Sequence, residues 1–268
     1  MKPLISEFSY GYALTEELVT GRLGQLTAAP VFPSLISEGR AGGGFDVKIP
    51  TRGLPMYLQF KLADYLSNRR AREWNEWQTP YFRVHLHSRG KSDQHKLLIK
   101  LERKGNRVFY AAPCFHRLDQ LNSAYLSNRV YDSTAFLSPL DIGPLQDDEE
   151  HYVAFIENSP SYLFCSKEPR RIKATNGKEL FEILSNSLES NTKVLDADFF
   201  GQRLQEIIAI LSEEELVVPK LEEIAEHYDQ LESNRIRYAT MLGYMSRAYL
   251  NAELYIVARD RAVNEPRT

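Results

Sequence analysis

The stretch GGGFDVKIPTRGLPMYLQFK, residues 42–61, decides how the rest of the chain is read. A glycine run opens it. FDVKI, at 45–49, then alternates apolar and charged side chains, as a strand with one buried face does. PTRGLP turns the chain, and MYLQFKL, at 56–62, alternates again. Successive strand side chains leave opposite faces, so Tyr57, Gln59 and Lys61 share one face and Met56, Leu58, Phe60 and Leu62 the other. If the two strands pair through the turn, Asp46 lies beside Gln59, and an acid, an amide oxygen and an amine meet at one sheet edge. A one-residue slip would put Gln59 and Lys61 on the face opposite Asp46.

Upstream of this stretch, residues 10–22 read as a helix with Leu14 and Leu18 on one side. The segment between is a loop rich in proline and glycine. Downstream, the charged run ADYLSNRRAREWNEWQ, 63–78, reads as a helix or an excursion, and 81–87 as a strand. Asp93 is placed to cap a helix over 94–103, whose apolar stripe is Leu97, Leu98 and Leu101 and which Gly105 ends. A strand follows at 108–112, a helix at 118–126, and strands at 135–137, 152–156 and 162–165. Helices are expected at 180–188 and 199–211, then a long helical region over 221–258, broken near Gly243. This order predicts a mixed α/β core over 1–175. A helical C-terminal part, 176–268, packs on that core or forms an oligomer or partner surface.

Composition narrows the function. The 268 residues suit one large domain, or a domain with an extension. With a net charge of −3, no global basic field draws in nucleic acid, so any contact with DNA or RNA falls to a local patch. The two cysteines, Cys114 and Cys165, sit in apolar contexts and read as free buried thiols rather than a disulfide framework or zinc site. The first residues lack the apolar core of a signal peptide, and no run reaches the ~18 apolar residues of a membrane span. A soluble cytoplasmic protein is expected.

The Asp46–Gln59–Lys61 set has a chemical use. Mg²⁺ takes hard oxygen ligands, which the Asp46 carboxylate and the Gln59 side-chain carbonyl supply, with a backbone carbonyl near Phe60 as a third. Lys61 is suited to stabilise charge on an attacked phosphate or to orient the attacking water. On GGGFD and LQFK, over roughly the first 115 residues, the chain resembles the PD-(D/E)XK nuclease superfamily. It is most similar to the Mrr-type restriction enzymes, in which Gln-x-Lys replaces Glu-x-Lys. The resemblance implies a restriction-endonuclease-like core and a metal-dependent phosphodiester hydrolase using Mg²⁺ or Mn²⁺. It also implies a first-helix glutamate as a further metal ligand, a role carried to Glu17 with Glu16 as substitute. It further implies a nucleic-acid substrate, DNA ahead of RNA, a restriction or antiviral setting, and activation by homodimerisation or a protein partner. Residues 63–93 then form a long insertion ahead of the core helix.

Other clusters are weaker. Arg69, Arg70 and Arg72 beside Trp74 and Trp77 suit phosphate contact and base stacking. The same pattern also suits an amphipathic element whose tryptophans pack on the body while its arginines face water. His85 and His87 share a strand face without an evident third metal ligand. Lys167, Arg170, Arg171 and Lys173 form a second basic run that reads equally as a solvated edge. Cys114, two residues from His116, lacks the setting of an activated thiol. The competing function is a non-catalytic interaction protein on the same fold; a weaker one is a small-molecule or nucleotide enzyme using the His85/His87 face.

Overall fold

The structure is a computed structural model that describes residues 1–20, 52–87, 92–190, 194–216, 224 and 233–257. Helix α1 (Glu7–Thr20) starts the chain. Strand β1 (Leu54–Phe60) is followed by β2 (Asp64–Leu66), the short α2 (Trp74–Trp77) and β3 (Tyr81–Leu86). Next come α3 (Gln94–Arg103), β4 (Arg107–Pro113), α4 (Leu118–Leu126), β5 (Thr134–Leu137) and α5 (Pro139–Ile142). A meander of β6 (His151–Phe155), β7 (Ser161–Cys165) and β8 (Arg170–Lys173) leads into α6 (Gly177–Ser190) and α7 (Ala197–Glu213). The last elements are α8 (Asn234–Leu250) and β9 (Glu253–Val257).

The strands form two sheets flanked by helices, a mixed α/β fold. The first sheet has the order β5-β4-β1-β9, and the second β2-β3-β6-β7-β8. Within the first, β1 and β4 run parallel, with Gln59 level with Tyr110, and β9 pairs antiparallel with β1. The second sheet is antiparallel throughout. The segment expected to be an insertion, 63–93, supplies β2 and β3, so it builds part of a sheet instead of decorating the core.

The alternation of β1 divides the interior. Met56 and Leu58 join Tyr10, Leu14 and Leu18 of α1 and Leu180 and Leu184 of α6 in one core. Tyr57 faces the other core, shared with Leu97, Leu98 and Leu101 of α3, Phe82 and Val84 of β3, and the apolar stripes of α7 and α8. Helix α1 lies close on β1 because residue 11 is glycine: a Cβ there would come within 2.9 Å of the Phe60 ring.

Three expectations change. The helical region predicted over 221–258 ends at Leu250, and 253–257 is a strand hydrogen-bonded to β1. Asn251, at φ 46, terminates α8 and turns the chain into it. The C-terminal part thus contributes a strand to the central sheet as well as helices that pack on it. Asp93 makes no capping bond; the Ser92 hydroxyl accepts from the Gln94 amide at 3.2 Å in its place. Helix α1 begins at Glu7, where Ser6 accepts from the Ser9 amide at 2.9 Å, three residues before the predicted start. Gly105 does end α3, at φ +88. Among the described residues, no helix is long and apolar enough to cross a membrane.

The join between β1 and β9 leaves no room at Gly53, where a Cβ would sit 2.6 Å from the Val257 carbonyl oxygen. Because that neighbour is backbone, it can yield only by loosening the ladder. Gly53→Ala is expected to lower the unfolding free energy by about 1–3 kcal/mol, read from urea denaturation, with faster amide exchange in β9.

Candidate functional site

Of the residues expected to act together, Gln59 and Lys61 lie two residues apart at the end of β1. Gln59 is 1% exposed, and among the described residues neither its Oε1 nor its Nε2 has a hydrogen-bond partner. A buried unpaired amide costs about 1–3 kcal/mol, so this side chain is a burden on the fold at the place where the sequence suggested a ligand. Lys61 continues the parallel ladder, its amide donating to the Ala111 carbonyl at 2.9 Å. Its ammonium stands 6.0 Å from the centroid of the Tyr110 ring.

Lys61 is half-buried, and the loss of hydration lowers its pKa while Glu7 acts to raise it. Glu7, on the first turn of α1, keeps solvent contact. Protein crowding still raises its carboxyl pKa, and Lys61 pulls it back down. Glu7 is the acid whose charge acts on Lys61, without a direct ion pair between the two side chains.

Glu17, expected as the first-helix ligand, is occupied elsewhere. It is 6% exposed and accepts from the amides of Val130 and Tyr131 at 2.8 and 2.7 Å, one on each oxygen. It fastens α1 to the chain entering β5. Glu16 hydrogen-bonds with Tyr125 of α4.

Asp46 and the strand expected at 45–49 lie outside the described residues. The hairpin expected between 45–49 and 56–62 is corrected over its first part. Met56 to Leu58 are bonded by β4 on one edge and by β9 on the other, so both ladder positions beside them are filled.

Tyr110 and His95 extend the polar set beneath Lys61. His95, on α3, sits 2.8 Å from the Tyr110 hydroxyl through Nδ1 and 2.8 Å from the Gly143 carbonyl through Nε2. The two rings stack with centroids 5.9 Å apart and 15° between planes. Burial lowers the pKa of His95, the Gly143 hydrogen bond raises it, and His151 and Lys61 lower it further.

Trp74 and Trp77 pack on the outer face of the second sheet with Tyr81, Leu163 and Cys165. Arg69 and Arg70 are exposed, and Arg72 donates to the Ser166 carbonyl at 3.4 Å. In the second basic run, Lys167 pairs with Asp147 at 3.1 Å and Arg171 with Glu76 at 2.7 Å. The rings of His85 and His87 are 5.6 Å apart, but no group of three His, Cys, Asp or Glu side chains among the described residues is placed to hold a metal. Both cysteines are free. Burial pushes the Cys114 thiol up and Cys165 up to about 12, the opposite of an activated nucleophile.

Sequence reasoning missed Glu7, His95 and Tyr110. For Glu7 the signal was present: Ser6 followed by an acid is a helix-start pattern. For His95 and Tyr110 no local signal exists, because their bond joins a helix to a strand.

No family model, curated protein or solved structure matches the chain.

If Gln59 is kept for chemistry and not for folding, an apolar replacement of similar length should relieve the buried amide. Gln59→Met is expected to stabilise the protein by about 1–3 kcal/mol in thermal and urea unfolding. A destabilised variant would show that the amide makes bonds the fold needs.

Proposed function

We propose that the chain is a metal-dependent nucleic-acid phosphodiester hydrolase on a restriction-endonuclease-like core, with Glu7, Gln59 and Lys61 in its site. The observation that carries the reading is the buried Gln59 amide, unpaired among the described residues, two residues before the half-buried Lys61 that stands over the Tyr110 ring. The arrangement around it supports the same reading. The Gln-x-Lys strand runs parallel to the strand that follows α3, and the polar groups gather at the carboxyl ends of this parallel pair, where α/β sheets commonly bind ligands.

A hard divalent cation would draw on oxygens of these residues. Glu7 offers a carboxylate, and Gln59 a neutral oxygen with no competing partner among the described residues. Asp46, outside the described residues, is the second carboxylate of the proposed set. Mg²⁺ or Mn²⁺ held there would supply a water acidified enough to act as nucleophile. Lys61 supplies fixed positive charge for the phosphate oxygens. Because it is half-buried against Tyr110, that charge acts through a poorer dielectric than water and needs little reorganisation. Glu7 favours the charged form of Lys61 and so keeps it suited to this task.

One observation favours a second reading, an interaction protein on the same fold. Phe8 and Tyr12 lie one turn apart on α1 and are 79% and 56% exposed, and Leu4, just ahead of the helix, is 73% exposed. An apolar stripe of this kind suits a partner protein or a second copy.

The test is incubation of the purified chain with supercoiled plasmid, linear duplex, single-stranded DNA and RNA, in Mg²⁺, Mn²⁺ or EDTA. Cutting is expected with either metal and absent in EDTA. Glu7→Gln, Asp46→Ala, Gln59→Met and Lys61→Ala should each slow it about a hundredfold or more, with Gln59→Met doing so while it stabilises the fold. Cutting that persists in Lys61→Ala would remove the site from this assignment. A wild-type chain inert on all four substrates would favour the interaction protein.

A further inference from the structure

The bond between His95 and Tyr110 fixes more than its own two side chains. The Gly143 carbonyl can only accept, so Nε2 of His95 carries the proton. In the neutral ring Nδ1 is then a lone pair, and the Tyr110 hydroxyl donates to it at 2.8 Å. Tyr110 is thereby held at both ends. Its backbone lies between β1 and β5, level with Gln59 and Leu137, and its hydroxyl is tied to α3. The hydroxyl oxygen lies on the axis about which the ring turns, so the bond fixes that axis, and the near-parallel His95 ring, 15° away, sets the plane about it. That plane is the surface under the Lys61 ammonium.

We infer that His95 is a positioning residue for Lys61, acting through Tyr110. The imidazole also walls off solvent. It is 6% exposed and lines a surface groove of about 640 Å³ together with Ile99, Pro144 and Leu145. On its inner side stands Tyr110. Removing the ring would free the tyrosine hydroxyl and open the groove toward the face on which Lys61 rests. A histidine that merely satisfied the core would affect stability alone. A positioning histidine sets where Lys61 sits, and Lys61 reports that directly. Only the rate predictions below depend on the hydrolase reading.

The experiment compares His95→Gln, His95→Phe and Tyr110→Phe in the full chain. Glutamine can accept from Tyr110 and donate to Gly143; phenylalanine fills the space and does neither. Tyr110→Phe deletes one hydroxyl and keeps the ring, so it remains informative if His95→Phe does not fold. Lysines are reductively methylated with ¹³C, and the Lys61 signal is assigned by its loss in Lys61→Arg. At fixed pH, the ring current of Tyr110 should displace the Lys61 methyl signals in the wild type and in His95→Gln. The displacement should be lost or broadened in His95→Phe and Tyr110→Phe. Hydrolysis should show kcat down roughly a hundredfold in His95→Phe, KM little changed, and His95→Gln restored to near the wild-type rate.

An unchanged Lys61 displacement in folded His95→Phe or Tyr110→Phe would overturn the inference, whatever the chain cuts. Loss of the displacement in a chain that cuts nothing would leave the positioning role standing and remove the hydrolase reading.

Discussion

Strand β1 is hydrogen-bonded along both edges, to β4 in parallel and to β9 in antiparallel sense, and the candidate site hangs from it. The double pairing fixes register, and register decides which side chains face which core. Met56 and Leu58 are committed to the layer under α1, so Tyr57 and Gln59 must enter the layer beneath α3. A shift of one residue would bury Lys61's neighbours on the wrong side and bring Gln59 out beside α1. The polar residues at the end of β1 are placed by the apolar ones before them.

The sequence was most informative where local chemistry decides the outcome. Helix α4 at 118–126, the buried Leu97–Leu98–Leu101 stripe of α3 and the alternation of β1 follow from spacing alone. It was least informative where distant segments compete. LYIV at 254–257 belongs to an apolar region that suits a helix as well as a strand, and the unpaired edge of β1 settles the matter. Residues 63–93 looked like an insertion because their sheet partners, β6 to β8, come much later in the chain. The second sheet is therefore invisible to any window of a few residues.

The candidate site shows the same division. Gln59 and Lys61 on one strand face follow directly from the period of two. Which first-helix acid joins them does not, since helical spacing says which residues share a side but not where the helix end points. Glu17 lies on the buried side and is spent on backbone amides, while Glu7 sits at the end that reaches Lys61. Burial selected against the residue that periodicity favoured: an acid well inside a helix–sheet interface must bond to the interior, and one at the helix start keeps a free oxygen for other work.

The pairing of β9 with β1 also carries a consequence for how the protein is made. A chain growing from its N-terminus has β1 and β4 long before it has Glu253 to Val257. Until then, one side of β1 offers bare amides and carbonyls, the arrangement that recruits foreign strands. Contacts between such distant segments form slowly, since a long loop must close first. Every nascent or prematurely ended chain thus passes through a stage with an adhesive strand at its centre, and closing that strand falls to the last described element.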